Sequence, residues 1–150
     1  MRIISLSEEE VVALLQRSQI GRIACSRHDQ PYIVPIGFSF DSERNCLYSF
    51  SGVGQKIDWM RENPRVCVEI DDIADKDHWS TVVIFGGYEE LTDAPADAKA
   101  RARAQVLFEE RSEWWFPAAG TTEAGAPSAV VIYRIRIDRM TGRRVSRRRL

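Results

Sequence analysis

Ser51-Gly52-Val53-Gly54-Gln55-Lys56 is the stretch of this 150-residue chain whose residue types could hold an anion. The strand-like Leu47–Phe50 precedes it, and a helical pattern with Ile57 and Met60 three apart and Trp59 beside them follows. The first N–H groups of a helix have no helical partner, and the helix dipole favours negative charge there. Lys56 adds a point charge, Ser51 a hydroxyl, and the two glycines let the backbone approach closely. A phosphate fits this chemistry. The same residues also describe an ordinary turn followed by a solvated lysine, and composition does not separate the two. Two sharper patterns fail. Gly52 to Gly54 is too short for GxxxxGK and Ile57 stands where Ser or Thr should follow the lysine, while Lys56 and Ile57 break GxGxxG.

Other chemistry is sparse. His28 and His78 stand apart, without HxxxH or CxxC spacing, so no metal set is read. No GxSxG elbow occurs. Glu89-Glu90 and Glu109-Glu110 are adjacent pairs, which do not face one another on a strand or helix. No side chain is singled out as catalytic, and any reactivity is expected from a bound cofactor. Cys25, Cys46 and Cys67 are isolated among strand-like residues, as reduced thiols of a cytoplasmic protein would be.

The elements that must position the turn follow from periodicity. Residues 6–18 read as a helix, with Ser7 and Glu10 as a capping box and Val11, Leu14, Leu15 and Ser18 on one face. Strands are expected at Gly21–Arg27, Tyr32–Phe40, Cys46–Phe50, Arg65–Asp71, Trp79–Leu91 and Ala129–Ile137. Pro35 marks an edge, a bulge or a ligand approach, and Gly86-Gly87 a bend or bulge. Asp71–Asp77 reads as a solvated loop. Asp93 is expected to cap a helix running to about Ser112, with Pro95 in its first turn. Trp114, Trp115 and Phe116 could seal a dimer interface, wall a pocket or simply pack in a core. Residues 140–150 read as a basic tail, since Arg134–Leu150 holds eight arginines against one aspartate.

These elements make one domain over 1–150: mainly β with α, a six-stranded antiparallel split barrel with flanking helices. An apolar fraction of 44% and a formal net charge of -1 suit a globular protein and do not suit an electrostatic nucleic-acid binder. No segment reads as a signal peptide or a membrane span.

In order, GRIACSRHDQPYIVPIGFSF, LYSFSGVGQKIDWMRENPRVCVEID, WSTVVIFGGYEEL and AVVIYRIRIDRMTGR resemble the FMN-binding split-barrel superfamily related to pyridoxamine 5'-phosphate oxidase. The similarity spans Leu6 to Arg144 and is greatest to the small branch that includes nitroimidazole-resistance-like proteins. The resemblance implies a homodimer with FMN at the subunit interface. By position it implies that Val34, Pro35 and Ile36 lie against the isoalloxazine ring. Ser49, Phe50 and Ser51 would lead toward ribityl and phosphate, Gln55 and Lys56 would hold phosphate, and Trp79 and Thr81 would lie beside the cofactor. Trp114 and Trp115 would come from the partner subunit. Relatives often carry arginine where this chain has Gln55, which leaves more of the charge to Lys56 or calls on another arginine. The chain ends RRVSRRRL, without the RLxP-type ending of the vitamin-B6 oxidase itself. The implied activity is electron or hydride transfer through flavin to a small organic acceptor, with NADH or NADPH as a possible donor. A deazaflavin-dependent reductase and a non-catalytic FMN-binding protein are the alternatives of the same fold.

Overall fold

The computed structural model describes residues 1–110 and 130–146. Among these residues eight strands are joined in a single sheet, each pairing antiparallel. In chain order they are β1 (Arg2–Ser5), β2 (Ile20–Arg27), β3 (Gln30–Gly37), β4 (Ser39–Asp41), β5 (Cys46–Gly52), β6 (Arg65–Asp75), β7 (His78–Leu91) and β8 (Val130–Ser146). Among the described residues three α-helices accompany them: α1 (Glu8–Arg17), α2 (Gln55–Glu62) and α3 (Ala98–Glu109). The spatial order is β3-β2-β6-β7-β8-β5-β4, with β1 added on β8. The sheet curls into a barrel that stays open between β3 and the β5–β4 pair. Across that split the hydroxyl of Ser49 donates to the Gly37 carbonyl at 2.6 Å. The expected architecture is thus present, with two strands more than the six read from periodicity.

One addition comes from the expected strand Tyr32–Phe40, which divides at Phe38. The Phe38 N–H turns to the Gln19 carbonyl, so the chain leaves β2 and Ser39–Asp41 pairs with β5 instead. The other addition is β1, whose partner is the far end of β8. That end was expected to be a tail. Residues 140–146 are instead strand, because β8 has a neighbour on each side there: Arg143 lies opposite Thr81 of β7 and Ser5 of β1. Its arginines are largely committed within the fold. Arg134 and Arg136 pair with Glu89, Arg144 pairs with Glu10, and Arg139 lies over the Phe85 ring.

Asp71–Asp77 is a second correction. β6 continues to Asp75 and pairs with the start of β7, from Asp71↔Thr81 to Asp75↔His78. Asp75 closes that hairpin by accepting from the Asp77 N–H and lying against the His78 ring. A charged run in a two-stranded ribbon keeps its side chains in water, so it can be strand without an apolar face. Asp93 does not cap α3. The turn starts as a 3-10 segment, Pro95–Asp97, with Ala94 at its N-cap, and Asp97 holds the Thr92 N–H and hydroxyl while Asp93 pairs with Arg101.

Other local readings stand. The capping box of Ser7 and Glu10 is formed, and α1 buries Val11, Leu14 and Leu15. His28 and Asp29 turn the β2–β3 hairpin at positive φ, a conformation these residue types tolerate better than most. β3 is an edge strand, as Pro35 suggested. The register of β7 against β8 shifts between Phe85 and Gly86. A Cβ at Gly86 would collide with the Arg136 carbonyl oxygen, which is why the bulge needs glycine.

The main core fills the barrel with Ile23, Val68, Ile84, Tyr133 and Ile135, and α2 contributes Ile57 and Met60. A smaller core under α3 joins Tyr48, Leu91, Ala104, Phe108 and Ile132. Among the described residues no helix is long and apolar enough to cross a membrane.

Candidate functional site

Lys56 is placed by the strand–turn–helix unit that carries it. β5 runs to Gly52, Gly54 is the N-cap of α2 in extended backbone, and no side chain caps the helix. The first-turn N–H groups are therefore open to an anion. The helix is pinned by Ile57 and Met60 in the core and by Trp59, which packs against Tyr32 and under the Arg27 guanidinium. Asn63 fixes the other end, donating to the carbonyl and hydroxyl of Ser26. From this base the Lys56 ammonium donates to the Ser51 hydroxyl at 2.7 Å, and Ser51 donates to the Gly52 carbonyl at 2.7 Å.

Lys56 is half-buried, and burial pushes its pKa below the usual lysine range. A cation taken partly from water gains most from an anionic partner. The Cys25 thiol of β2 feels the same charge, which lowers its pKa, but burial raises it by more. Val53, Gly54 and Gln55 are exposed around the open helix end.

The other residues expected in the site divide between two sides of the sheet. Side chains alternate along a strand, so Ser49 and Ser51 face the barrel interior and Phe50 faces away. Ser49 is buried with its hydroxyl committed to Gly37, next to Ile36. Phe50 packs edge-on against Phe108 of α3, 4.8 Å between centroids, so its ring serves the smaller core. Gln55 is exposed at the first position of α2. On β3, Ile36 is buried, Val34 is half-buried and Pro35 is exposed on the outer face. Trp79 and Thr81 stand at the start of β7, on that same outer face but two strands away, since β2 and β6 lie between β3 and β7. The structure thus joins Ser51 to Lys56 and Ser49 to the end of β3. Within one chain it does not bring Trp79 or Thr81 against Lys56. Trp114 and Trp115 lie outside the described residues.

Between Pro35 and Thr81 lies a polar cluster that periodicity did not pick out. Pro35 pairs with Arg22, Arg22 with Glu69 and Glu69 with Val83, so these four share one outward row. Thr81 donates to Glu69 at 3.0 Å, and Arg22 donates to Asp71 at 3.2 Å while lying 3.9 Å from Glu69. Burial, helped by hydrogen bonding to Asp71, pushes the Glu69 carboxyl above its ordinary range, against the pull of Thr81 and Arg22. The available signal was alternation: GRIACSR and RVCVEID each put charged residues on the face opposite their apolar ones. Only the register shows that the two charged faces are one.

Comparison with known proteins gives the arrangement its relatives. The family model described as pyridoxamine 5'-phosphate oxidase matches residues 7–144. An uncharacterized protein of Rhizobium meliloti (strain 1021) is 39% identical over 141 residues, 92% of each chain. The solved structure of a FAD-binding protein from Mesorhizobium loti has 36% identity and a TM-score of 0.79, over 97% of this chain and 100% of that one. A structure from Bacteroides thetaiotaomicron, described as a candidate 5-nitroimidazole antibiotic resistance protein, shares the fold. Its TM-score is 0.68 at 18% identity, over 95% of this chain and 87% of that one. With a family match and relatives that run nearly end to end, the chain belongs to the pyridoxamine 5'-phosphate oxidase family and has its split-barrel fold.

Proposed function

We propose that the protein is a flavin-dependent oxidoreductase that holds FMN by its phosphate at Lys56 and Ser51 and passes electrons to a small organic acceptor. The observation that carries this reading is the half-buried Lys56 ammonium on the Ser51 hydroxyl, beside an uncapped helix start. Those groups suit a phosphate in charge and in donor set. The FAD-binding relative from Mesorhizobium loti supports a flavin as the bound group. When bound, the flavin supplies the redox chemistry, and NADH or NADPH is the proposed donor. Lys56, Ser51 and the first-turn N–H groups bind the phosphate, and Ser49 fixes the β3 backbone beside Ile36 through Gly37. Because Trp79 and Thr81 are two strands from β3, a homodimer with the cofactor between subunits is the assembly that lets both groups serve one site. We place the protein in the cytoplasm on the same reading.

Mild purification followed by an absorbance spectrum and mass identification of the released cofactor tests this. The expected result is a yellow protein releasing FMN, with turnover of a nicotinamide donor against a quinone or nitroaromatic acceptor. A deazaflavin would move the protein to the other reductase class, and bound flavin without turnover would make it a binding protein. A colourless protein that FMN cannot reconstitute would overturn the reading.

A further inference from the structure

We propose that a second copy of this chain packs on the outer face of β3-β2-β6-β7, about a two-fold axis that runs along the strands between β2 and β6. This interface deepens the homodimer of the flavin reading above and rests on it, while the register of the face supplies a warrant of its own. The buried residues of α1 and α2 enter the main core and those of α3 the smaller core, so among the described residues no helix buries a side chain on that face. An antiparallel sheet with one face in water carries polar residues there. Here one outward row reads Ile33, Ala24, Cys67, Phe85. Ile33 is 63% exposed and Phe85 38%, and neither belongs to a core. Apolar side chains gathered on an open sheet face mark an association surface.

A second copy is the occupant that matches this face in charge. A two-fold contact sets a surface against itself, so the face must be its own complement. Turning it over about an axis between β2 and β6 lays β2 against the partner's β6 and β3 against the partner's β7, row on row. Arg22 and Glu69 are neighbours in one row, so Arg22 meets the partner's Glu69 and Glu69 meets the partner's Arg22. Within one chain Glu69 lacks a close cation. Arg22 lies 3.2 Å from Asp71 but 3.9 Å from Glu69, and burial pushes the Glu69 carboxyl above its ordinary range. The partner's Arg22 supplies the missing charge. In the apolar row Ala24 meets the partner's Cys67, small against small at the axis, and Ile33 meets the partner's Phe85. Sheets packed face to face stand about 10 Å apart, a gap that arginine and glutamate side chains span together.

The same axis completes the site. Two residues beyond Pro35 and Val83 along their strands stand Gly37 and Thr81. The partner's Thr81 therefore lies over Gly37, at the open side of the barrel where the Ser49 hydroxyl meets the Gly37 carbonyl. The partner's Trp79 stands one row further, past the end of β3. Within one chain these two residues are kept from β3 by β2 and β6, and only the partner brings them to it.

Charge reversal tests the axis. Arg22→Glu sets like charges against the partner's Glu69, and Glu69→Arg sets them against the partner's Arg22. Expected by sedimentation equilibrium is a dimer for the parent and a dissociation constant raised about 10-fold or more for each variant alone. An equimolar mixture of the two variants should recover the dimer, because only the mixed pair has opposite charges at both contacts. Pairing within one chain cannot produce that recovery. Ile33→Glu changes a side chain already exposed in the single chain, so it should dissociate the dimer with an unchanged circular dichroism spectrum and weaken FMN binding in a fluorescence titration. Variants that dimerise as tightly as the parent, a mixture no tighter than its components, or a monomeric parent would each overturn the interface. A dimer restored by mixing that binds no FMN would keep the interface and overturn the flavin reading instead.

Discussion

Lys56 and Ser51 are joined across the four residues that separate them, ammonium to hydroxyl at 2.7 Å, so the cation is directed before any ligand arrives. Lys56→Ala removes the charge and leaves Ile57 and Met60, the core contacts of α2, in place. Expected is a loss of about 10- to 100-fold in affinity for FMN, equivalent to about 1.4–2.8 kcal/mol, with riboflavin affinity nearly unchanged because riboflavin has no phosphate. The sign with pH follows from burial. Because burial lowers the lysine's pKa, FMN affinity should weaken as pH rises through a midpoint below 10.5. Fluorescence quenching titrations with both ligands measure it, and equal losses for the two would show that Lys56 does not hold the phosphate.

Ser49 has a different task from Ser51, although the two are separated by one residue. Its hydroxyl is buried and spans the open side of the barrel to Gly37. Ser49→Ala leaves that carbonyl without its donor, at a cost of about 1–2 kcal/mol. Chemical unfolding should record that loss. FMN affinity should fall by less than in Lys56→Ala, since the effect reaches the ligand only through β3. A Ser49 variant with full stability and abolished FMN binding would make Ser49 a direct ligand instead.

How far the sequence is legible depends on the range of the interaction. Ser7 with Glu10 and the strand–turn–helix around Lys56 are each local, and each is present where its residue types put it. Pro35 and the glycine pair at residues 86 and 87 marked an edge and a bulge, because backbone chemistry alone decides both. Extent was harder to read. Residues 71–75 and 140–146 have composition typical of loop and tail, yet a neighbouring strand supplies the hydrogen bonds that make them strand. The row from Pro35 through Arg22 to Glu69 lay beyond reach altogether, since it depends on which residues of three strands face one another. Lys56 could be chosen from its surroundings in sequence, whereas the contacts of Glu69 follow only from its neighbours in space.

The two adjacent glycines of β7 should differ sharply when replaced. A methyl at Gly86 meets the Arg136 carbonyl of β8 and the Ile135 side chain, which are backbone and core. Gly86→Ala should cost about 1–3 kcal/mol or more, as the β7–β8 register cannot move without displacing its neighbours. A methyl at Gly87 meets first the far end of Arg136, and that guanidinium can swing away from Glu89 and Asp138 at small cost. Melting curves of the two variants test this, and equal shifts would mean that the bulge does not depend on the missing side chain.

Asp41 sets the stability of the smaller core toward acid. Its side chain is fully buried at the end of β4. It accepts from the backbone N–H groups of Glu43 and Arg44 and from the guanidinium groups of Arg44 and Arg103, the last reaching down from α3. Burial alone would raise its pKa, but these donors outweigh it and hold the carboxyl below its ordinary range. Asp41→Asn keeps the shape, loses the charge and leaves Arg103 without its counter-ion, so a cost of about 3 kcal/mol is expected at neutral pH. For a chain of this size that corresponds to a drop of roughly 6–12 °C in melting temperature. A carboxylate with a lowered pKa in the folded state contributes stability above its unfolded pKa and loses it as pH falls through the folded value. The gap between the parent and Asp41→Asn should therefore be constant from pH 7 to 5 and close as the solution is acidified below about 4, near the ordinary carboxylate range. Melting temperatures recorded from pH 7 to 3 decide it: a gap that persists unchanged at the acid end would mean that the charge of Asp41 is not what secures α3 to the β4–β5 hairpin.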